Sequence, residues 1–488
     1  MTAAPHRDKS AKAGVVAAVD LGATSGRVMV GHVGPGKLEL EVVHRFPNQP
    51  VRTADGLHWN ILELYRNVLS GLRQAVARQP DLGSIGIDSW AVDYSLMRGP
   101  RMVSSPFHYR DERTAAGVAA VHRKVDPAAL YAASGLQFQP FNTLYQLAVD
   151  ASDGIIDQST TMLMIPDLLA FWLTGKAQVE RTNASTTGLL EVTSGNWSTE
   201  LIGRLGLPRS LFPPVVDPGM RIGTLQATVV AELDAPGPLD VVAVGSHDTA
   251  SAVVGVPIVS ENAAYISSGT WSLVGVELDR PVLSEASRES NFTNEGGVDG
   301  KVRYLKNVMG MWLLSESMAE WERAGEAWEI EALLDAAAAL DTPVAIFDAN
   351  HPSLLSAGDM VSRIADLCGA TGMPVPRTPA EFARSILESL AVAYAKALEE
   401  IEQLSGVTIT TVHVVGGGSQ NALLGQLTAD RTGRPVLAGP VEATAIGNVL
   451  VQARAAGLVS GGLRELRALV ARTYPPVEYR PAEVRASV

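Results

Sequence analysis

Asp248 stands in Gly245-Ser246-His247-Asp248-Thr249-Ala250, directly after the apolar run VVAVGS at 241–246. A carboxylate at the C-terminal end of a strand in an α/β fold sits where ligands bind. There it can take the proton of a sugar hydroxyl that attacks phosphorus. The same acid, or Ser246, can also cap the helix opened by TASAVVGV. Capping would orient the carboxylate without preventing catalysis. The nine histidines offer no second pair at ligand spacing, which argues against a metal site built on His247.

Four other segments carry chemistry. Asp20-Leu21-Gly22-Ala23-Thr24-Ser25-Gly26-Arg27 joins two β-branched runs. Small residues there let backbone N–H groups approach a polyphosphate, and Thr24 and Ser25 add hydroxyl donors. Asp20 is placed to hold a hydrated Mg²⁺ and Arg27 to reach a transferring phosphoryl group. No Gly-Lys-Ser/Thr ends the turn, so it is not a P-loop, and an ordinary glycine hairpin explains it equally well when taken alone. Tyr265-Ile266-Ser267-Ser268-Gly269-Thr270-Trp271-Ser272 is a second turn of this kind, and the pair suggests two loops clamping one polyphosphate. Val415-Gly416-Gly417-Gly418-Ser419-Gln420-Asn421 lies between a strand and a helix, where a ligand can lie flat against backbone. It lacks the G-x-G-x-x-G spacing of a dinucleotide loop. Finally, Ile87-Asp88-Ser89-Trp90-Ala91-Val92-Asp93-Tyr94 sets acids beside aromatics, which suits a sugar. An aromatic core is the competing reading of Trp90.

The elements that must position these segments recur. Strands are predicted over 14–33, around the small-residue turn, and over 38–46. Ile61, Leu64, Tyr65, Val68, Leu69, Leu72, Ala75 and Val76 share one helical face within 60–78, and SIGIDSW (84–90) reads as a buried strand. The plan returns as a hairpin over 263–276, a third strand at 302–308, a helix over 379–405 and a strand over 407–419. That helix carries a capping box, Thr378 with Glu381, with Pro379 at its first position and Gly406 past its end. Two domains built alike and facing each other explain both length and pattern, with a boundary near Val256-Pro257.

Composition sets limits. The 488 residues carry 39 basic and 52 acidic side chains, a net charge of −13. That excludes a chain-wide basic face for nucleic acid or anionic membranes. A single cysteine, Cys368, forbids an internal disulfide and a thiolate metal cluster. Residues 1–13 read as a polar, flexible tail without the apolar segment of a secretory signal, and no apolar run approaches 18 residues. The expectation is a cytoplasmic protein, with the N-x-[ST] sequons at Asn183, Asn196 and Asn291 as chance matches.

The set as a whole resembles the FGGY carbohydrate kinases, over about residues 15–455. The resemblance is carried by VDLGATSGRVM, GIDSWAVDY, YRDERT, GLQFQPFNTLYQL, GSHDTASAV, YISSGTWSLVG, NFTNEGG, LKNVMGMWLL, VGGGSQN and GPVEATAIGN. It implies an α/β protein of the actin/hexokinase/Hsp70-like ATPase fold, with two ribonuclease H-like domains facing a central cleft. Residues 14–255 would bind sugar and phosphate, and 256–488 the nucleotide. The implied reaction is phosphorylation of a ketose by ATP with Mg²⁺. The 1-hydroxyl of L-rhamnulose is the acceptor most closely indicated, with L-fuculose or a related ketose as the alternative. A non-catalytic, ATP-switched binding protein of the same fold would not need Asp248.

By matching motif, Asp248 is the proton acceptor, and Ala91, His247, Asp248, Thr249 and Asn307 face the ketose. Ala23, Thr24, Ser25, Gly26 and Arg27 cradle phosphates, Thr270, Ser315 and Gly417 lie on the ATP side, and Asp20 is near Mg²⁺. Two departures stand out: Ala91 replaces a family glycine that contacts sugar, and Ser315 replaces a frequent glutamine on the nucleotide side. The resemblance implies a monomer or homodimer whose partners are the ketose and ATP, with no nucleic acid and no membrane.

Overall fold

The computed structural model describes residues 13–482. The tail read over 1–13 therefore falls, apart from Ala13, outside the described residues. Labels below are given to the elements that build two large sheets and the helices that join them.

In the first half, β1 (Gly14–Leu21) and β2 (Ser25–Gly34) form the hairpin expected from the Gly-Ala-Thr turn, followed by β3 (Lys37–Pro47), α1 (Ile61–Arg78) and β4 (Leu82–Ser89). β5 (Arg221–Thr224) and β6 (Asp240–Val242) complete a six-stranded sheet of order β5-β6-β4-β1-β2-β3. β1 pairs antiparallel with β2 and parallel with β4, and β6 pairs parallel with β4. The strand expected over 241–246 is shorter than read. Beyond Val242 the chain turns away from β4: the Ala243 N–H donates to Met220 O and the Gly219 N–H to Ala243 O. It rejoins β4 only at Ser246, whose carbonyl accepts from Ser89 N–H at 2.9 Å.

α2 (Asp248–Val254) leads into the second half. β7 (Ala263–Ser268) and β8 (Trp271–Leu278) form its hairpin, followed by β9 (Thr293–Gly296), β10 (Val302–Met309), α3 (Trp312–Arg323) and α4 (Pro379–Ser405). β11 (Thr411–Val415), a narrower strand than 407–419, precedes α5 (Ala422–Thr432) and β12 (Val436–Ala438). α6 (Ala443–Ala455), α7 (Leu463–Thr473) and β13 (Val477–Tyr479) finish the described chain. The second sheet has the order β9-β10-β8-β7-β11-β12-β13. Within it, β10-β8-β7-β11-β12 repeats the first sheet's β3-β2-β1-β4-β6, so the recurrence read in the sequence is a recurrence of strand order. The capping box of α4 forms as expected: Thr378 Oγ1 accepts from Glu381 N–H, Glu381 Oε2 accepts from Thr378 N–H, and Gly406 closes the helix at φ 74°.

Packing does not follow chain order. Side chains alternate across a strand; Val15, Ala17 and Val19 of β1 bury one face of the first sheet together with Leu64, Val68 and Leu72 of α1. Val16, Ala18, Met29 and Val33 bury the other face against Ile446, Val449, Leu450, Leu466 and Val470. The helices covering that face, α6 and α7, thus come from the last fifth of the chain. A separate core gathers β7, β8 and β10 with α3 and α4. α2 and α6 cross nearly in contact, because a Cβ on Gly447 would lie 1.8 Å from Ser251 O.

Candidate active site

A cavity of about 610 Å³ opens between the two sheets, lined from both halves of the chain. Its floor is set by strand ends. Asp20 is the next-to-last residue of β1, and Asp248 opens α2 at the end of the segment that rejoins β4. Glu180 fixes that segment. Its buried carboxylate accepts from the N–H and Oγ of Ser246, at 3.0 and 2.7 Å, and from Thr182 N–H at 2.9 Å. Ser246 is therefore held from the side and does not cap α2. Asp248 turns its own Oδ1 back to Thr249 N–H at 2.6 Å, leaving its carboxylate on the cavity surface.

The phosphate end is built from turns. Gly22 N–H closes the first turn onto Ser25 O, and Asn48 Nδ2 pins Gly22 O at 2.8 Å. Ala23, Thr24 and Arg27 face the cavity; Ser25 and Gly26 do not line it. Gly26 is buried under Phe46, where an added Cβ would lie 2.3 Å from the ring. Arg27 donates to Asp20 Oδ2 from Nε at 2.9 Å and Nη2 at 2.7 Å, and its Nη1 pairs with Glu442. Ser267, Ser268, Gly269 and Thr270 form the opposite wall, beside Gly416 and Gly417. Gly416 sits at φ 83°, and a Cβ on Gly418 would fall 2.0 Å from Ser268 Oγ. The triple glycine thus packs its backbone onto the end of β7, while Gly417 faces open space. Ser315 is exposed on α3 and does not line the cavity.

The opposite end is mixed apolar and polar. Ala91, His247, Thr249 and Asn307 line it, with Trp90, Tyr109, Phe141 and Trp271 among its rings. Val92 holds φ 65°, an outlier for a β-branched residue that costs about 1–3 kcal/mol. Its carbonyl accepts from Thr143 Oγ1 at 2.6 Å and its N–H donates to Thr186 Oγ1 at 3.3 Å, and this held kink turns Ala91 to the cavity. Asp93, expected to meet a sugar hydroxyl, is instead fully enclosed. It accepts from the indoles of Trp59 and Trp90, from Gln146 and from Tyr109 N–H. Burial pushes its carboxyl up to about 7 against those bonds. It organises the aromatic floor, in which the rings of Trp59 and Trp90 meet at 3.9 Å with a 32° tilt, and touches no ligand space. Tyr94 likewise points inward, to Asp150.

Burial raises the Asp248 carboxyl above its ordinary range; His247 opposes the shift and the charge of Asp20 adds to it. Asp88, opposite Asp20 in the β1–β4 register, is raised further by burial and by Asp20. One of its oxygens accepts from Asn448 Nδ2 at 2.6 Å and the other is buried without a partner. Asp20 and Asp248 on the floor, with the orphaned Asp88 oxygen buried behind them, fit a divalent cation. Among the described residues no three acidic, His or Cys side chains gather closely enough to hold one unaided. That donor set suits Mg²⁺, which keeps waters and phosphate oxygens as most of its ligands, with Asp20 as the protein group exposed to it.

Several lining residues were not singled out in the sequence. Gln137 Oε1 accepts from both the N–H and Nδ2 of Asn307, at 3.0 Å each, and so positions that amide across the cleft. Glu295 and Glu442 also line the cavity. Each stands in a segment quoted for the resemblance, but only the fold brings it to the site.

Paired sheets of one strand order, hydroxyl-glycine turns at one end of the cleft and an aromatic pocket at the other define a phosphotransferase that works on sugars. Family models agree: the N-terminal domain of the FGGY family of carbohydrate kinases matches residues 15–255 and the C-terminal domain matches 264–456. The chain belongs to the FGGY family of carbohydrate kinases. Within it, the chain is 43% identical over 473 residues to a rhamnulokinase of Pectobacterium carotovorum subsp. carotovorum (strain PC1), covering 96% of this chain and 93% of that one. It is 38% identical over 475 residues to a rhamnulokinase of Bacillus subtilis (strain 168), covering 97% and 96%. Solved structures share the fold at low identity. A gluconate kinase from Lactobacillus acidophilus superposes with a TM-score of 0.78 at 14% identity, and a Plasmodium falciparum glycerol kinase with ADP at 0.76 and 14%; each comparison covers 96% of this chain and 94% of the other. Among the described residues no helix is long and apolar enough to cross a membrane.

Proposed function

We propose that the cleft transfers the γ-phosphoryl group of ATP to the 1-hydroxyl of L-rhamnulose, giving L-rhamnulose 1-phosphate, with Asp248 as the general base. The observation that carries the roles is the place of Asp248, on the floor between the phosphate turns and the pocket of Ala91 and Asn307. The similarity to rhamnulokinases carries the choice of sugar. Ala91, His247, Thr249 and Asn307 hold the ketose. The turn from Ala23 to Arg27, with Thr270 and Gly417 opposite, holds the nucleotide phosphates. Ser25, Gly26 and Ser315, away from the cavity, act at most through their neighbours. Residues 14–255 and 256–488 serve as the two domains of a cytoplasmic monomer or homodimer, with α6 and α7 of the second segment completing the first sheet.

Phosphoryl transfer asks the protein chiefly for positioning and charge neutralisation. Bound Mg²⁺, near Asp20, supplies neutralisation of the phosphate oxygens. Arg27 adds a guanidinium on the same wall, held against drift by Asp20 and Glu442. Asp248 accepts the hydroxyl proton as the sugar oxygen attacks. Enclosure by both halves excludes water, the competing acceptor.

The test is ADP release with MgATP across L-rhamnulose, L-fuculose, L-ribulose, D-xylulose and glycerol. L-Rhamnulose giving the highest kcat/KM supports the reading. Another ketose in the lead would keep the mechanism and point to Ala91, whose methyl narrows the pocket. No stimulation by any sugar would leave a nucleotide-switched binding protein.

A further inference from the structure

Arg303 is the most deeply buried cation near the cleft, with no exposed surface at all. It lies on β10, in the second half of the chain, yet its guanidinium meets His247 from the first. Nη2 is 3.0 Å from His247 Nδ1, and Nε donates to Gly296 O at 2.9 Å. Glu295 Oε2 lies 3.0 Å from the same Nη2 and 3.2 Å from Nδ1, near enough to balance the charge, but has no hydrogen-bond partner of its own. Burial disfavours the Glu295 carboxylate, but the charge of the adjoining Arg303 guanidinium favours it, and the group is held below its usual range.

A guanidinium only donates, and a neutral imidazole has one donor nitrogen and one acceptor. If Nη2 donates to Nδ1, Nδ1 is the acceptor and the ring proton sits on Nε2. Nε2 is the ring nitrogen nearer Asp248, 3.4 Å from its Oδ1, without a hydrogen bond between them. We propose that Arg303 is a positioning residue: it fixes His247 as the Nε2–H tautomer, so that the imidazole presents a donor to Asp248 and to the ketose, while Glu295 neutralises the buried guanidinium. The role in the reaction rests on the kinase reading above; the tautomer does not.

The first test therefore needs no turnover. In uniformly ¹⁵N-labelled full-length protein, two-bond ¹H–¹⁵N spectra distinguish the protonated from the bare ring nitrogen, and His247→Gln identifies the signal by its loss. The expected pattern for His247 is Nε2–H with a bare Nδ1. An Nδ1–H pattern in the wild type overturns the proposal without any variant. In Arg303→Met a mixture of tautomers is expected, and an unchanged Nε2–H pattern in that variant also overturns it. The second test is kinetic. Losing one oriented donor should raise KM for the ketose about tenfold while KM for ATP stays within about twofold. Arg303→Lys, which keeps charge and a donor, should recover part of the ketose KM. Equal loss for both substrates, unrescued by lysine, would mean a packing role only. If the wild type phosphorylates no ketose, the kinase reading fails while the spectra still decide the tautomer.

Discussion

Asp248 has one oxygen engaged by Thr249 N–H and a carboxylate on the cavity floor, so its removal should act on chemistry more than on binding. Asp248→Asn is expected to lower kcat about 10²–10⁴-fold while calorimetry finds ketose affinity nearly unchanged; normal turnover in the variant would reduce Asp248 to a structural residue. The acid limb of the pH profile follows from the same group. A general base works deprotonated, and burial with the nearby Asp20 charge raises the folded pKa of Asp248 above the usual value of about 3.9. Activity should be present above that raised value and lost as pH falls through it, at a higher pH than for an exposed aspartate. Asp93 gives a stability signature of opposite use. Its folded carboxyl, near 7, binds a proton more tightly than the unfolded chain, so its contribution is lost as pH rises from about 4 to about 7. Asp93→Asn should flatten that slope in urea-unfolding free energies. Asp248 and the turn residues Ala23, Thr24, Arg27, Thr270 and Gly417 were legible as cleft residues because each motif is contiguous and lies at a strand end. Gln137, Glu295, Arg303 and Glu442 were not, because their roles arise from contacts between chain segments far apart in sequence. Asp93 was misread for a related reason: an acid beside tryptophans looks the same whether the rings face a sugar or the core.

The three consecutive glycines differ in what they do. Gly418 has no room for a side chain, since a Cβ would fall 2.0 Å from Ser268 Oγ, whereas Gly417 faces open space. Gly418→Ala should cost about 1–3 kcal/mol of stability by pushing the loop off the end of β7, measured by denaturant unfolding. Gly417→Ala should leave stability near wild type and show its effect in KM for ATP. Equal unfolding midpoints for the two variants would contradict this division. The hairpins, the third strands and α4 were readable because alternation, helical spacing and capping are local signals. The strand over 241–246 was overread because its pairing is set by Met220 and Gly219, which no local pattern reveals. The matching strand orders of the two sheets could be anticipated from the repeated plan, but not the helices that cover them.

The two halves are joined unevenly. At the sugar end they are stitched by direct bonds: Asn294 N–H donates to Gly135 O at 2.8 Å, Phe138 N–H to Asn291 Oδ1 at 2.9 Å, and Tyr131 meets Ser287 Oγ at 2.7 Å. Elsewhere the halves meet across the cavity, at the close crossing of α2 and α6, and where α6 and α7 cover the first sheet. Ligands that bridge the cavity should draw the sheets together about that crossing. Small-angle scattering with ketose and a non-hydrolysable nucleotide is expected to show a smaller radius of gyration than the free protein; superimposable curves would count against closure.

The covering of the first sheet by α6 and α7 has a consequence for how the molecule is made. On the ribosome, Val16, Ala18, Met29 and Val33 emerge early, but Ile446, Val449 and Leu466, their packing partners, are translated more than four hundred residues later. The nascent first half therefore waits with one apolar sheet face uncovered until α6 and α7 have been made. A release of the chain just short of α6 would leave that face permanently bare.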